Sequence, residues 1–373
     1  MTRHHPDSAI EVDELRAILE EHQRVTVLDV RKSEERAEWA IPGSLHIDAY
    51  EALKAGDANA LAAADIAKDV PVVTVCGAGK MSLVAMEQLR SRGYDARSLT
   101  GGMKAWSLAW NSAVVPVSGS EATVIQVRRT GKGCLSYLIG NGGEAVVIDA
   151  SLEPRVYQQI AADHGWVITH VLDTHVHADH LSRSPLLAGV TGATLHLPDQ
   201  ERVSFAFTPI RDGETLSIGS SQIVALRTPG HTMESTCYLL DGRALFSGDT
   251  LFLAGVGRPD LEASADEARQ RARLLHASLR RVLALPRETL LLPGHTSEPA
   301  PFDKQPIAAT LAQLACRVEM LALSEEAFLA AILARIPPTP PNHAQIVTLN
   351  EAGILPDGDL TDLEAGANRC AVS

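Results

Sequence analysis

The chain has no apolar run that approaches the about 18 residues of a membrane span, so no membrane partner is expected. Its first residues, Met1 to Asp7, lack an apolar segment and do not read as a secretory signal. They are also too poor in Arg and Ser for a transit peptide. Cysteine is sparse: five among 373 residues, at 76, 134, 237, 316 and 370, with no Cys-x-x-Cys pair. An odd, dispersed set argues against a disulfide framework and for a reducing compartment, so a cytoplasmic location is expected. Positive charge is in deficit, with a formal net charge of -13, which disfavours a nucleic-acid partner. What remains, 45% hydrophobic and 21% charged residues, is the composition of a soluble globular protein. A chain of 373 residues exceeds one ordinary core and suggests two or three domains.

Residues 8–115 alternate strands and helices. Asp13 to Glu21 is helical in pattern, Val25 to Val30 is a β-branched run, and Pro71 to Val75 is a strand that runs into Cys76. Ser82 to Arg92 is a helix closed by Gly93. This βαβ rhythm implies a parallel sheet with helices on its faces. The loop Cys76-Gly77-Ala78-Gly79-Lys80-Met81 joins the strand to the helix. Its glycines let backbone N–H groups turn inward, and the helix start adds partial positive charge. Both favour a thiolate and anionic sulfur or oxygen beside it, although a merely buried cysteine fits the same pattern.

A linker is expected at 116–121, where Pro116 and Gly119 stand among small residues, and a second unit at 122–373. Strands are expected at Ala122 to Arg128, Tyr137 to Ile139 and Ala145 to Ile148, with a helix from Pro154 to His164. The apolar run from Trp166 to Leu172 then leads into Thr174-His175-Val176-His177-Ala178-Asp179-His180. Imidazole and carboxylate are ligands for zinc or iron, and residues two apart on a strand share a face. Further candidates follow other β-forming runs: His231 after Thr228-Pro229-Gly230, Asp249 after Ser247-Gly248, and His295 after Pro293-Gly294. Each can therefore sit on one rim of a pair of sheets. His164, His170, His196, His276 and His343 fall outside the set and read as surface or core residues. Helical stretches at Asp266 to Leu285 and Ile307 to Ile336 pack on the sandwich, and the second offers a homodimer contact as its other reading.

Two resemblances follow. Asp29-Val30-Arg31, Ile41-Pro42-Gly43, the Cys76 loop and Leu99-Thr100-Gly101-Gly102-Met103-Lys104-Ala105-Trp106 stand in the order seen in rhodanese domains. In that family the loop cysteine carries a persulfide, so Cys76 is the expected sulfurtransferase nucleophile. The sequence departs from the family pattern at Met81, where many members carry arginine, and at Trp39-Ala40, where many carry Gly-His. The seven residues His175, His177, Asp179, His180, His231, Asp249 and His295 resemble the metallo-β-lactamase superfamily, in its glyoxalase II and persulfide dioxygenase branch. The fold implied is α/β plus α+β: a rhodanese-like parallel-sheet domain, then an αββα sandwich with a C-terminal helical extension.

The seven residues leave the reaction open. By resemblance to persulfide dioxygenases, one Fe(II) per chain is held by His175, His231 and Asp249, with His177, Asp179, His180 and His295 around it. By resemblance to glyoxalase II, two zinc or mixed metals are held instead: one by His175, His177 and His231, the other by Asp179, His180 and His295, with Asp249 bridging. The run Gly255-Val256-Gly257-Arg258-Pro259-Asp260-Leu261 and the tail Ala367-Asn368-Arg369-Cys370 resemble the dioxygenases, whose closing cysteine lies near the iron. Ser297 departs from the animal-type members, which carry tyrosine there. The expected reaction oxidises a small thiol persulfide, glutathione persulfide above all, with O₂ to sulfite. Arg258 is expected to bind substrate carboxylates, its alternative being a structural pair with Asp260. From another class, the chain could be a persulfide carrier or sensor with a non-catalytic metal domain.

Overall fold

A computed structural model describes residues 8–62, 64–366 and 369–372. The Met1 to Asp7 stretch, and Ala367 and Asn368 of the tail motif, lie outside the described residues.

The first unit is a five-stranded sheet of β1 (Ala9–Ile10), β2 (Thr26–Asp29), β3 (Leu45–His46), β4 (Val72–Val75) and β5 (Ala96–Leu99), ordered β1-β5-β4-β2-β3. Every pairing is parallel. Central β4 is a β-branched run buried throughout, as a strand covered on both faces must be. Helices α1 (Val12–Glu20), α2 (Ser33–Glu38), α3 (Tyr50–Lys54), α4 (Lys80–Ser91) and α5 (Gly102–Trp106) surround it. Apolar clusters fill both sides of the sheet. Asp29 and Arg31 stay buried because the guanidinium meets the carboxylate at 2.7 Å and also donates to the Trp39 carbonyl at 2.7 Å.

The second unit stacks two sheets. One is ordered β12-β11-β10-β9-β8-β7-β6, from β6 (Asn111–Val115), β7 (Thr123–Arg128), β8 (Leu135–Asn141), β9 (Glu144–Ile148), β10 (Val167–Leu172), β11 (Thr194–Pro198) and β12 (Thr208–Ile210). The other contains β13 (Thr215–Ile218), β14 (Ser221–Arg227), β15 (Thr236–Leu240), β16 (Ala244–Gly248), β18 (Leu290–Pro293) and β19 (Ala309–Thr310). The remaining pair, β17 (Val256–Gly257) and β20 (Ala371–Val372), ties the C-terminal tail beside the second sheet. Tyr137, Ile148, Tyr238 and Phe246 lie in the layer between the sheets. Helices α6 (Pro154–Asp163) and α7 (Ser184–Thr191) cover the first sheet. Helices α8 (Ala265–Leu283), α9 (Leu311–Arg317) and α10 (Glu325–Ala334) cover the second. This is the four-layer αββα arrangement expected from the sequence.

Two expectations are corrected. Residues 111–115, expected in the first unit, pair as β6 along the length of β7, so the second unit's sheet starts ahead of the 116–121 stretch. The long helix expected at Ile307 to Ile336 is broken. Thr310 caps α9 reciprocally with Gln313, Val318 is extended, and a short 3₁₀ turn, Glu319–Ala322, precedes α10. Helix α11 (His343–Ala352) packs on the loop after β10, and α12 (Thr361–Glu364) lies against α5 of the first unit. Lys104 of α5 reaches Asp359 at 3.0 Å and Asp362 at 2.8 Å. The Trp39 indole donates to the Thr130 carbonyl at 2.9 Å, and Phe302 packs on Trp106.

Candidate metal centre

The strand ends converge. His175, His177, Asp179 and His180 follow β10, His231 follows β14, Asp249 follows β16 and His295 follows β18, and all seven are buried. One donor atom each from His175, His231 and Asp249 lies within 4.8 Å of the other two. Asp249 Oδ2 stands 3.8 Å from His175 Nε2 and 3.6 Å from His231 Nε2 and, although buried, accepts no hydrogen bond from the described residues. These separations are long for hydrogen bonds. Donors about 2.1 Å from a shared cation stand about 3.0–3.4 Å apart, so small side-chain shifts would bring these three onto one ion.

The surroundings fix which nitrogens face inward. The Asp149 carboxylate accepts from the Thr174 hydroxyl at 2.9 Å, so that hydroxyl accepts from His175 Nδ1 at 2.8 Å. His231 Nδ1 donates to the Arg258 carbonyl at 2.8 Å. Both Nε2 atoms are thereby left with a lone pair toward Asp249. Burial holds His175 well below the usual histidine range and lowers His231, so both imidazoles are neutral, as metal ligands must be. Burial would raise Asp249, but His295 chiefly holds it below the usual carboxylate range. Gly257 is required here: a Cβ on it would lie 2.0 Å from the Asp249 carbonyl oxygen and 3.0 Å from the His231 Cβ.

The other four residues are arranged differently. His295 Nδ1 donates to Asp249 Oδ1 at 2.6 Å, and its Nε2 meets Asp179 Oδ2 at 2.9 Å. His180 Nδ1 meets Asp179 Oδ1 at 3.0 Å. Ion pairs tie this set together, but the Nε2 atoms of His180 and His295 are buried without a hydrogen-bond partner among the described residues. Burial lowers His180 and His295, and the carboxylates beside them outweigh it, leaving His180 at about 10 and His295 well above the usual range. His177 turns its Nε2 to Asp149 at 3.3 Å and leaves Nδ1 buried without a partner among the described residues.

Sequence reading missed several members. Cys134, one residue before β8, places its thiol 3.4 Å from Asp179 and 3.7 Å from His180. Burial raises that thiol, and the adjoining histidines more than offset this, bringing it to about 6. A buried cysteine ahead of a strand carries no local signal of this. Asp149 ends β9 in the left-handed region, with φ at 56°. Cys370, by contrast, was expected near the metal from the tail's resemblance, and it is buried with its sulfur in reach of Asp249 and His295, its thiol pushed well up by burial and then by Asp249.

Arg258 takes its alternative role, the structural pair with Asp260. Its guanidinium is fully buried: it holds Asp260 by two 2.8 Å bonds and the Pro338 and Arg369 carbonyls at 3.2 Å. Its backbone N–H donates to the Cys370 carbonyl at 3.0 Å. The residue clamps the tail and orients His231, and four of its five guanidinium N–H donors go to these partners. Of the histidines outside the set, His164 bonds the Ile160 carbonyl, His170 and His196 meet at 3.0 Å, His276 bonds Leu323 and His343 bonds Pro340.

The Cys76 loop lies in the first unit. Gly79 caps α4 with φ at 85°, and Cys76 Sγ stands 3.4 Å from the Ser82 hydroxyl. The Cys76 and Gly77 carbonyls accept from the backbone N–H groups of Met103 and Lys104 at 2.8 and 3.0 Å, which turns them away from the sulfur. Gly102 permits that approach, since a Cβ there would lie 2.2 Å from the Cys76 carbonyl oxygen. Ala78 and Lys80 are exposed, Gly77 and Met81 half-buried.

Fold and buried donors define a metal-centre protein of the αββα sandwich class. Residues 129–295 match the family described as the metallo-beta-lactamase superfamily, and residues 11–109 match the rhodanese-like domain. The hydroxyacylglutathione hydrolase of Methylococcus capsulatus is 35% identical over 202 residues, covering 52% of this chain and 75% of that protein. That of Rhodospirillum rubrum is 36% identical over 156 residues, 41% of this chain, and the match spans only 57% of its length. Among solved structures, ETHE1 from Myxococcus xanthus is 33% identical, with TM-score 0.54, over 61% of this chain and 97% of that one. A metallo-beta-lactamase from Staphylococcus aureus is 26% identical, with TM-score 0.57, over 63% and 74%. The chain belongs to the metallo-beta-lactamase superfamily and carries a rhodanese-like domain ahead of that fold.

Proposed function

We propose that the chain is a persulfide dioxygenase whose rhodanese-like domain handles sulfur through Cys76. The observation that carries this reading is the split between the two donor groups. His175, His231 and Asp249 present two neutral imidazoles and a carboxylate oxygen without a hydrogen-bond partner among the described residues, whereas Asp179 is tied by charge to His180 and His295, whose Nε2 atoms also lack hydrogen-bond partners. Two histidines and a carboxylate with open positions suit one non-haem Fe(II). Bound there, the iron supplies the O₂ chemistry that no side chain provides. The chain's own part is to hold His175 through Thr174 and Asp149, His231 through Arg258, and Asp249 through His295.

The substrate is the persulfide of a small thiol, glutathione first, and the products are sulfite and the free thiol. A glutathione-derived substrate also accords with the names of the hydroxyacylglutathione hydrolases that the chain resembles. Joining the two domains keeps a reactive sulfur species at high effective concentration.

A second reading, a dinuclear thioester hydrolase, draws on those same relatives and on the Cys134, Asp179, His180 and His295 donors, which lie within 4.8 Å of one another. Metal content separates the two. The dioxygenase reading expects about one iron per chain, lost in His231→Ala. Two tightly held metals per chain in the wild type would sink it.

A further inference from the structure

The reading above leaves open what recognises the thiol. A cavity of about 250 Å³ opens beside His295, walled by Phe252, Leu253, Ile307 and Pro337, with Arg369 at its rim. It is smaller than the roughly 300–1,000 Å³ of a drug-sized ligand site, so it takes the sulfur end of a substrate and leaves the rest at the mouth. Its floor is at the centre itself, since His295 bonds Asp249, and Cys370, between Arg369 and the lining residue Ala371, is in reach of both. Apart from Arg369 and His295, no lining side chain can carry charge among the described residues.

Arg369 is mounted to present that charge. Its carbonyl is held by Arg258 at 3.2 Å, and the next residues form β20 against β17, so the backbone is fixed while the guanidinium stays partly exposed. It meets Glu38, an exposed residue at the end of α2 in the rhodanese-like unit, at 3.5 Å. An exposed ion pair of this kind is weak. A substrate carboxylate that presents two oxygens to the guanidinium would displace it.

We propose that Arg369 anchors a carboxylate of the thiol substrate, and that Glu38 of the rhodanese-like unit holds the anchor when no substrate is bound. The chemistry selected is an apolar-flanked sulfur with a carboxylate a few bonds away, as in a cysteinyl peptide. This rests on the reading of the centre as the site of a glutathione-derived thiol. It adds which residue selects that thiol, and it gives the first domain a part in the second domain's pocket.

The test is calorimetric binding of glutathione, and of cysteamine as a thiol without carboxylates, to the full-length protein. Arg369→Ala should weaken glutathione binding about tenfold or more and leave cysteamine unchanged. Arg369→Lys should restore part of the loss. Glu38→Gln, on an exposed side chain, should tighten glutathione about two- to fivefold. Equal glutathione affinity in wild type and Arg369→Ala, equal losses for both thiols, or no glutathione binding to the wild type would each overturn the proposal. Oxygen uptake with glutathione persulfide, run in parallel, tests the dioxygenase reading alone. No uptake with carboxylate-selective binding intact would sink that reading and leave the anchor standing.

Discussion

Glu364 offers a sharp test of what holds the metal loop. It is fully buried near the C-terminus, and its carboxylate accepts from the Leu181 backbone at 2.7 Å, one residue beyond His180. Arg129 meets it at 2.7 Å, and Arg183 reaches both of its oxygens. Burial raises this carboxyl, and the two arginines overcome that, taking it from 4.5 to about 2. The folded-state value lies below the unfolded one, so the stabilisation is complete above 4.5 and is lost as pH falls toward 2. Such a depression contributes about 3 kcal/mol at neutral pH, of which about 2 kcal/mol remains at about pH 3.5. Glu364→Gln leaves two buried arginines without a counter-charge, a loss of similar size. Urea unfolding should show the variant about 3 kcal/mol less stable near neutrality, with the gap narrowing by about 1 kcal/mol at about pH 3.5. A gap under about 1 kcal/mol at neutrality, or one indifferent to pH, would refute the reasoning.

Two further outcomes are expected. Cys76→Ser should abolish sulfurtransfer and spare oxygen uptake from preformed glutathione persulfide; loss of both would mean that the two sites do not work separately. Asn350 donates to the His177 and His180 carbonyls at 2.8 and 2.9 Å and accepts from Ser182 N–H at 2.9 Å. Asn350→Leu strands those groups and should weaken iron retention against a chelator about tenfold or more, with secondary structure unchanged. Unaltered retention would show that the loop is held by other contacts.

Much of the site was legible because its residues obey a local rule: a polar ligand directly follows a run of β-formers. That rule located His175, His231, Asp249 and His295 without knowledge of which strands pair. It could not assign roles, because His175 and His177 differ only in what lies opposite them, Asp249 for one and Asp149 for the other. Residues that act across long separations stayed invisible. Glu364 meets Arg129 and Arg183 from far along the chain, and Cys134 joins Asp179 only once β8 and the post-β10 loop are side by side. Arg258 was half legible, since its Asp260 partner is two residues away but the tail carbonyls it holds are not. The fold was misread where propensity was indifferent. Asn111 to Val115 suits a strand in either unit, and only its pairing with β7 decides.

The most direct measurement is oxygen uptake by iron-loaded protein, prepared without air, when fresh glutathione persulfide is added. Rapid uptake with matching sulfite, absent in His231→Ala, is the result expected for a single iron on His175, His231 and Asp249. No uptake by wild-type protein verified to hold iron would contradict the account and turn attention to hydrolysis of S-acyl-glutathiones.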